Sequence, residues 1–248
     1  MTTLSINGFE MHCDVRGEGT PLLLLHGGLG IGEDWRLIFP ADPPGWRLIV
    51  PDLRGHGRST NPAGAFTFRQ CALDVLALLD ALGVSAVKAI GLSMGAKTLL
   101  HVATSQPDRI GAQVLVSATP YFPAAVRTAM AQFTDVALDA LSVREREALA
   151  ARHVHGDAQL RQLYAMTRGF ATSYDDMAFT PPSLGRITGR TLIVHGDRDP
   201  LYPIDMAVEL FQSIPASSLW VVPGAGHGPV FGAHAAPFAA AALAHLVG

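Results

Sequence analysis

The sequence predicts an α/β protein in which a doubly wound, mostly parallel sheet of eight strands is flanked by helices and carries a helical insertion. Three observations lead to this fold class. Short runs that are apolar at nearly every position alternate with amphipathic stretches of helical period. Such runs are typical of strands that are buried on both faces of a parallel sheet. One long stretch, residues 121–186, lacks a strand pattern and has a helical composition.

The first two strands form a predicted hairpin. Leu4–Ile6 and Met11–Val15 flank Asn7-Gly8, a dipeptide that favours the tight turn between antiparallel strands. The remaining strands are the apolar runs, which we expect to pair in parallel. They are Pro21–Leu25, Arg47–Val50, Val87–Ile90, Gln113–Val116, Thr191–Val194 and Ser218–Val222.

Helices are predicted between these strands. Thr67–Leu82 is the clearest, because its apolar side chains recur at helical spacing and Gly83 follows as a stop signal. Met94–Ser105, Ile204–Ile214 and Ala235–Leu246 complete the set. Strands that alternate with helices in this way indicate a doubly wound sheet.

Residues 121–186 interrupt the alternation. We predict that they form a helical cap, inserted into a core domain made of residues 1–120 and 187–248. The stretches VREREALAARH (143–153) and AQLRQLYAMTRGF (158–170) are helical in composition. An ordinary crossover between parallel strands is the alternative, although such a connection normally needs only about a dozen residues.

Composition limits the classes of partner. Hydrophobic residues make up 49% of the 248 residues, charged residues make up 16%, and the net charge is −3. The lack of basic clusters argues against nucleic acid and membrane surfaces as partners, and no apolar run approaches the roughly 20 residues of a membrane helix. The first residues do not resemble a signal peptide. We therefore expect a cytoplasmic protein in which Cys13 and Cys71 are free and buried, with a disulfide between them as the alternative.

The stretch GLSMG at residues 91–95 joins the predicted strand Val87–Ile90 to the predicted helix Met94–Ser105. So tight a turn strains the backbone at its central residue, and small flanking residues avoid the clashes that larger ones would cause. Ser93 would then project from the carboxyl edge of the sheet at a helix N-terminus, where the helix dipole favours developing negative charge. This context predicts that Ser93 is a nucleophile.

A serine nucleophile requires a base, and the base requires an orienting acid. Among the ten histidines, we choose His227, because its glycine-rich loop follows the last strand and opens at the same sheet edge as Ser93. The strand Thr191–Val194 leads to Asp197 and Asp199 at that edge. We prefer Asp199 as the acid, since its side chain can turn back toward His227, and we assign Asp197 to a turn or a helix cap.

An acyl-transfer site also needs two backbone N–H donors that stabilise the oxyanion. Met94 supplies one directly after the serine. Gly28, in the glycine-rich loop after Pro21–Leu25, is the expected second donor, and a merely mobile loop is the alternative. No metal or cofactor site is predicted, because the spacing of His153 and His155 separates their side chains on a helix and no set of ligands surrounds them.

These stretches resemble the α/β-hydrolase fold superfamily. LLLLHGG resembles its strand and oxyanion loop, PDLRGHGRST its D-x-R-G-x-G-x-S segment, GLSMG its nucleophile elbow, HGDRDP its acid loop and GAGHGP its histidine loop. They occur in the family's order and leave out residues 121–186, where the family carries its cap. The resemblance implies the α/β-hydrolase fold with Ser93, Asp199 and His227 as catalytic triad, and it implies much less about the substrate.

The resemblance also favours some enzyme classes of the family over others. Haloalkane dehalogenases and epoxide hydrolases carry aspartate where this chain has Ser93, which argues against both. The size and the helical cap resemble small carboxylesterases, enol-lactonases and cofactor-free perhydrolases. C–C bond hydrolases also use serine, but no arginine of the kind that binds their acidic substrates lies beside the elbow, and we expect Lys97 to face away on its helix.

We therefore predict a serine hydrolase that cleaves a small-molecule carboxylic ester or lactone without a cofactor. A small-molecule sensor or adaptor on the same fold is one alternative, and a perhydrolase or a C–C bond hydrolase with the same triad is another. The oligomeric state is not predicted. The candidate pocket walls are aromatic residues of the cap and one beside the oxyanion loop, namely Tyr121, Phe122, Phe170, Tyr174, Phe179 and Trp35.

Overall fold

A single sheet forms the centre of the protein, which a computed structural model describes over residues 2–248. Its strands are β1 (Thr2–Ile6), β2 (Phe9–Arg16), β3 (Thr20–Leu25), β4 (Trp46–Pro51), β5 (Val87–Leu92), β6 (Ile110–Val116), β7 (Arg190–Gly196) and β8 (Ser217–Val222). The eight strands lie in the order β1-β2-β4-β3-β5-β6-β7-β8. Strands β3 to β8 pair in parallel, whereas β1 pairs with β2 and β2 pairs with β4 in antiparallel orientation. The predicted mostly parallel, eight-stranded sheet is confirmed.

The turn between β1 and β2 has the geometry that its sequence predicts. Asn7 and Gly8 have φ angles of +44° and +80°. Two successive positive φ angles are those of the type I′ turn, whose twist matches the twist of the strands that it joins. Ile6 and Phe9 face each other across the turn, which sets the register of the hairpin.

Helices connect and cover the parallel strands. They are α1 (Phe68–Ala81), α2 (Met94–Ser105), α3 (Ala124–Met130), α4 (Asp135–Asp139), α5 (Val143–Arg152), α6 (Asp157–Gly169), α7 (Pro181–Leu184), α8 (Ile204–Ser213) and α9 (Ala235–Val247). Helix α1 begins where the Thr67 side chain accepts a hydrogen bond from the Gln70 N–H, as an N-cap residue does. The four predicted helices outside residues 121–186 correspond to α1, α2 and α8, which lie between strands, and to α9, which follows β8.

Successive side chains of a strand point to opposite sides of the sheet, and on each side the central strands pack into a core that helices cover. On β3, Leu23 and Leu25 pack into one core with side chains of α1 and α2. Leu22 and Leu24 pack into a second core with side chains of α9. Since β3 to β8 are parallel, their carboxyl ends meet at one edge of the sheet, and the loops that leave these ends lie next to each other.

Residues 121–186 contain α3 to α7 and connect β6 to β7. The predicted helical stretches at 143–153 and 158–170 correspond to α5 and α6. Leu138, Leu160 and Tyr164 form a separate apolar cluster within this segment. An isolated β-bridge pairs Tyr121 with Ala178 near the two ends of the segment.

Two further properties concern the chain as a whole. In residues 2–248, no helix has the length and apolar character that crossing a membrane requires. Cys13 and Cys71 are buried and unpaired, as predicted. Burial raises the pKa of each thiol to about 12, so both thiols are protonated at neutral pH.

Candidate active site

Ser93 occupies the turn between β5 and α2 in a conformation that few residues adopt. Its φ angle is +49°, and its N–H donates a hydrogen bond of 2.8 Å to the Val116 carbonyl of the neighbouring strand. A Cβ atom at Gly95 would lie 2.2 Å from the Leu25 carbonyl oxygen, and one at Gly91 would lie 2.6 Å from the Ala96 nitrogen. Glycine is therefore required on both sides of the serine, and the strained serine is held by backbone contacts.

A continuous chain of hydrogen bonds links the three predicted catalytic side chains. The Ser93 hydroxyl lies 2.9 Å from His227 Nε2, and His227 Nδ1 lies 2.8 Å from an Asp199 carboxylate oxygen. The Asp199 side chain is fully buried, whereas that of His227 is 24% exposed. With Nδ1 protonated, His227 donates to Asp199 and accepts from the serine. This is the arrangement that a general base needs in order to activate a hydroxyl.

The two aspartates after β7 have different partners. One oxygen of Asp199 accepts hydrogen bonds from the N–H groups of Leu201 and Tyr202 at 2.8 and 3.1 Å, and the other faces His227. Burial raises the pKa of Asp199, but the hydrogen bond and charge of His227 and the two N–H donors outweigh it, so the pKa lies below its ordinary value. Asp197 instead accepts a hydrogen bond from the Gly224 N–H at 2.6 Å. The geometry thus favours Asp199 as the partner of His227.

The loop that carries His227 is fastened by a residue that sequence reasoning did not select. The Gly228 N–H donates a hydrogen bond of 3.2 Å to the Ser117 hydroxyl. Ser117 follows β6 with a φ angle of +49°, and its own N–H donates to the Val194 carbonyl at 2.9 Å. No sequence signal marks this contact, because the two partners are 111 residues apart.

Gly28 and Met94, the residues that are predicted to donate to an oxyanion, line the same cavity as Ser93. Within the described chain, neither N–H donates to a protein acceptor. Leu29, which follows Gly28, has a φ angle of +56°. Its carbonyl oxygen lies 3.2 Å from His153 Nε2, and this contact holds the loop of Gly28 in place. These two groups have the availability that oxyanion donors require.

His153 connects the segment 121–186 to this loop. It follows α5 and is fully buried. Its Nδ1 accepts a hydrogen bond of 3.0 Å from the Gly57 N–H, so its Nε2 carries the proton and donates to Leu29. Burial lowers the pKa of His153 to about 4, which keeps the ring neutral at neutral pH. His155 is exposed and faces the Arg58 carbonyl instead. Over residues 2–248, no group of three His, Cys, Asp or Glu side chains is arranged to hold a metal ion.

A cavity of about 300 Å³ opens over Ser93. Its walls come from the loop of Gly28, from α1 and α2, from α3 and α6, and from the loops that carry Asp199 and His227. The apolar lining residues are Leu29, Phe68, Leu92, Phe122, Val126, Ala129, Met130, Phe133, Met166, Phe170, Leu201 and Phe231. The site therefore offers a mostly apolar space beside the serine.

Two of the six predicted aromatic wall residues line this cavity. Phe122 and Phe170 stack with ring centroids 5.8 Å apart, and Phe68 packs against both. Sequence reasoning placed Phe68 only on the buried face of α1. Because the cavity lies directly above that face, the first turn of the helix contributes a wall.

The other four predicted wall residues lie elsewhere, and this part of the prediction is wrong. Trp35 is buried in the core on the opposite side of the sheet from α1 and α2. Tyr121 is 40% exposed, and Tyr174 is 65% exposed and packs over the guanidinium of Arg127. Phe179 packs against the His101 ring on the outer side of α2. Aromatic character alone did not distinguish the residues that face the cavity from those that fasten the segment to the core.

The expectation that Lys97 faces away from the site is also wrong. Its side chain lines the cavity and is only 3% exposed. The ammonium nitrogen lies 2.8 Å from the Tyr202 hydroxyl and 4.9–5.5 Å from the ring centroids of Phe68, Phe122 and Tyr202. Burial lowers its pKa to about 7, and the charge of Asp199 opposes this shift. The signal was present in the sequence, since Lys97 follows Ser93 by four residues and therefore lies on the same helix face.

Comparisons with known proteins agree with this architecture. A family model of the α/β-hydrolase fold matches residues 20–136 and 121–233. The 2-hydroxymuconate semialdehyde hydrolase of Pseudomonas putida is 29% identical over a gapped alignment 252 residues long. The alignment covers 89% of this chain and 85% of that protein.

Solved structures are similar over nearly the whole chain. The enol-lactonase from Burkholderia xenovorans LB400 has a TM-score of 0.80 at 23% identity, with 100% of both chains covered. Est816, an N-acyl homoserine lactone degrading enzyme, has a TM-score of 0.72 at 27% identity, with 91% of this chain and 93% of that chain covered. The family model spans most of the sheet and much of the segment between β6 and β7. The chain therefore belongs to the α/β-hydrolase fold family, and this membership supports hydrolysis as its class of activity.

Proposed function

We propose that this protein is a serine hydrolase that cleaves a carboxylic ester or a lactone through an acyl-enzyme intermediate. The hydrogen-bonded chain from Ser93 through His227 to Asp199 carries the proposal, because it reaches an apolar cavity that is also lined by Gly28 and Met94, whose backbone N–H groups are free. A serine hydroxyl is a weak nucleophile at neutral pH, and His227 and Asp199 supply the base and the acid that it needs.

The reaction would proceed in two halves. His227 Nε2 accepts the Ser93 proton while the oxygen attacks the substrate carbonyl, and Asp199 stabilises the imidazolium that forms. The N–H groups of Gly28 and Met94 donate to the oxyanion of the tetrahedral intermediate. The imidazolium then gives its proton to the leaving alkoxide. Water attacks the acyl-enzyme with His227 again as the base, which releases the acid and restores the serine.

The cavity supports an acyl group of modest size. A volume of about 300 Å³ is at the lower end of the range for small-molecule sites. Its wall is formed mainly by phenylalanine, leucine and methionine side chains, which favour an apolar acyl portion. The likeness to Est816, a lactone-degrading enzyme at 27% identity, supports inclusion of lactones in the substrate class.

Hydrolysis of a C–C bond is the second candidate. The lack of an arginine beside the elbow argued against it at the level of sequence, but Lys97, which was expected to face away, lines the cavity and supplies a cation there. The 29% identity to a 2-hydroxymuconate semialdehyde hydrolase over 89% of this chain favours it further. A substrate of this class is an acidic 2-hydroxy-6-oxo-dienoate, whose turnover is followed by loss of its visible absorbance.

A fluorophosphonate probe and a panel of p-nitrophenyl esters and lactones of graded acyl length test the proposal. We expect the probe to label Ser93, kcat/KM to be greatest for short and medium acyl chains, and Ser93→Ala to abolish both labelling and turnover while the circular dichroism spectrum stays unchanged. Labelling without turnover of any ester or lactone would reject ester hydrolysis and favour a sensor or adaptor. Turnover of the dienoate alone would favour the second candidate.

A further inference from the structure

Lys97 is an unusual residue for the first turn of the helix that follows the proposed nucleophile. It is one of two lysines in the chain, the other being Lys88 on β5. Its side chain is almost completely buried, and its ammonium group points toward the aromatic end of the cavity. A lysine is rarely buried to this degree unless its charge is paired.

The ammonium group has hydrogen-bonding capacity to spare. It carries three N–H donors, and the Tyr202 hydroxyl is its hydrogen-bond partner in the structure. Among the residues that the structure describes, no carboxylate lies within ion-pair distance of it. Asp199 acts on Lys97 through space, but its oxygens are occupied by His227 and by two backbone N–H groups. A buried cation without an anionic partner is costly, and a ligand anion would remove that cost.

The other cation near this end of the cavity is already engaged. Arg127 also packs against the Phe122 ring, with its guanidinium 5.7 Å from the ring centroid. Its nitrogens donate to the carbonyl oxygens of Phe122, Phe170 and Ser173. Arg127 therefore fastens the segment 121–186 and leaves Lys97 as the cation with free donors at the cavity wall.

We propose that Lys97 determines specificity by binding a carboxylate that the substrate carries about one helical turn from the scissile carbonyl. The inference rests on the proposed function, because it takes Ser93 as the point of attack. Ser93 directly precedes α2, and Lys97 lies four residues later in the first turn of that helix, where its N–H donates to the Ser93 carbonyl at 3.0 Å. Both residues line the same cavity, about one helical turn apart along the chain.

The surroundings of Lys97 favour a carboxylate over a phosphate. A single ammonium group balances one negative charge, whereas a phosphate dianion would bring a second charge into an apolar pocket without a partner. The rings of Phe68 and Phe122 exclude water from the ion pair, which strengthens it. The preferred substrate would thus be apolar in its middle, with a carboxylate at its far end.

The test compares matched esters in which only the far end changes. One set consists of the mono-p-nitrophenyl esters of succinic, glutaric and adipic acid, together with the p-nitrophenyl esters of the alkanoic acids of equal length. A second set places the carboxylate on the alcohol side, as O-acetyl hydroxy acids against alkyl acetates. We expect one acidic series to have a kcat/KM at least about 30-fold above its neutral counterpart, since hydrogen-bonded buried charge pairs are typically worth that much or more.

Three variants separate the charge from the fold. In Lys97→Met and Lys97→Gln, the ratio of acidic to neutral kcat/KM should fall by at least about 30-fold. In Lys88→Met, which removes the same charge elsewhere, the ratio should stay at the wild-type value. A merely structural Lys97 would lower both activities by the same factor, and that outcome, or equal activity on acidic and neutral esters in both sets, would overturn the proposal.

A binding measurement is independent of turnover. In Ser93→Ala labelled with ¹⁵N-lysine, the two Nζ resonances are assigned by means of Lys97→Met. Monomethyl glutarate should shift the Lys97 resonance, and methyl butyrate should not. Such a shift without turnover of any ester by the active protein would refute the proposed function and leave the carboxylate site standing. Ester turnover without a shift would support the function and reject the site.

Discussion

Replacement of Lys97 by methionine should change how stability depends on pH. The structure lowers the pKa of this lysine from 10.5 to about 7, with burial as the principal cause. Below pH 7 the amine is protonated in both the folded and the unfolded chain, and the folded state bears the full cost of the buried charge. Between pH 7 and 10.5 the unfolded chain binds one proton more than the folded chain, so the free energy of unfolding rises with pH.

The size of the effect follows from the shift. At about 1.4 kcal/mol per pKa unit, the buried charge destabilises the folded state by about 5 kcal/mol at low pH, and this penalty fades above pH 7. Between pH 6 and pH 9 the free energy of unfolding of the wild type should therefore rise by about 2–3 kcal/mol relative to Lys97→Met. At pH 7 the variant should be the more stable protein, although the unpartnered Tyr202 hydroxyl reduces its advantage by about 1–3 kcal/mol.

Urea unfolding at pH 6, 7.5 and 9, followed by tryptophan fluorescence, measures this difference. Contributions from all other titrating groups cancel when the variant is subtracted from the wild type. Lys88→Met serves as the control for loss of a lysine as such. If wild type and Lys97→Met kept a constant difference in unfolding free energy over this range, the ammonium group would not be buried in solution as it is in the structure, and the reasoning would be refuted.

Three further tests, two of them with a matched control substitution, probe the site and its supports. Asp199→Asn should lower kcat by about three to four orders of magnitude, whereas Asp197→Asn should cost less than about tenfold, as measured on one p-nitrophenyl ester; the opposite order would reassign the acid. Gly95→Ala forces a Cβ atom to within 2.2 Å of a carbonyl oxygen and should lower the free energy of unfolding by about 3 kcal/mol or more, whereas Gly169→Ala, with open space around it, should be neutral or stabilising in the same urea titration. His153→Ala removes one hydrogen bond to Leu29, in the loop of Gly28, and one to Gly57, and it should lower both the unfolding free energy, by about 1–3 kcal/mol, and kcat/KM; unchanged kinetics would show that the loop of Gly28 holds its shape without the histidine.

The sheet and its order of elements could be predicted because their signals are local. Apolar runs such as Pro21–Leu25 lie within β3, and the Asn7-Gly8 dipeptide marks its turn directly. The juxtaposition of Asp199 and His227 was equally accessible, since each follows a parallel strand and parallel strands end at one edge. For these features, the order of elements along the chain and the geometry of a parallel sheet together determine where the residues lie.

Contacts between distant segments could not be predicted in the same way. His153 meets Leu29 across 124 residues, and Ser117 meets Gly228 across 111. Nothing in the composition near either partner specifies the other. The same limit explains why Phe170 faces the cavity while Tyr174 packs outside it, because the path of the segment 121–186 decides which side each ring takes.

Lys97 marks a different kind of failure, in which its spacing was counted from the wrong residue. Counted from Gly95, two residues earlier, it faces away on the helix. Counted from Ser93, four residues earlier, it lies on the cavity face of α2, and this count is the better guide, since the serine already determines which face looks into the site. A charged side chain on a buried helix face is costly in free energy unless it has a partner, and its presence therefore indicates that a partner exists. Without a counter-charge in the fold, its partner is to be sought in what the cavity binds.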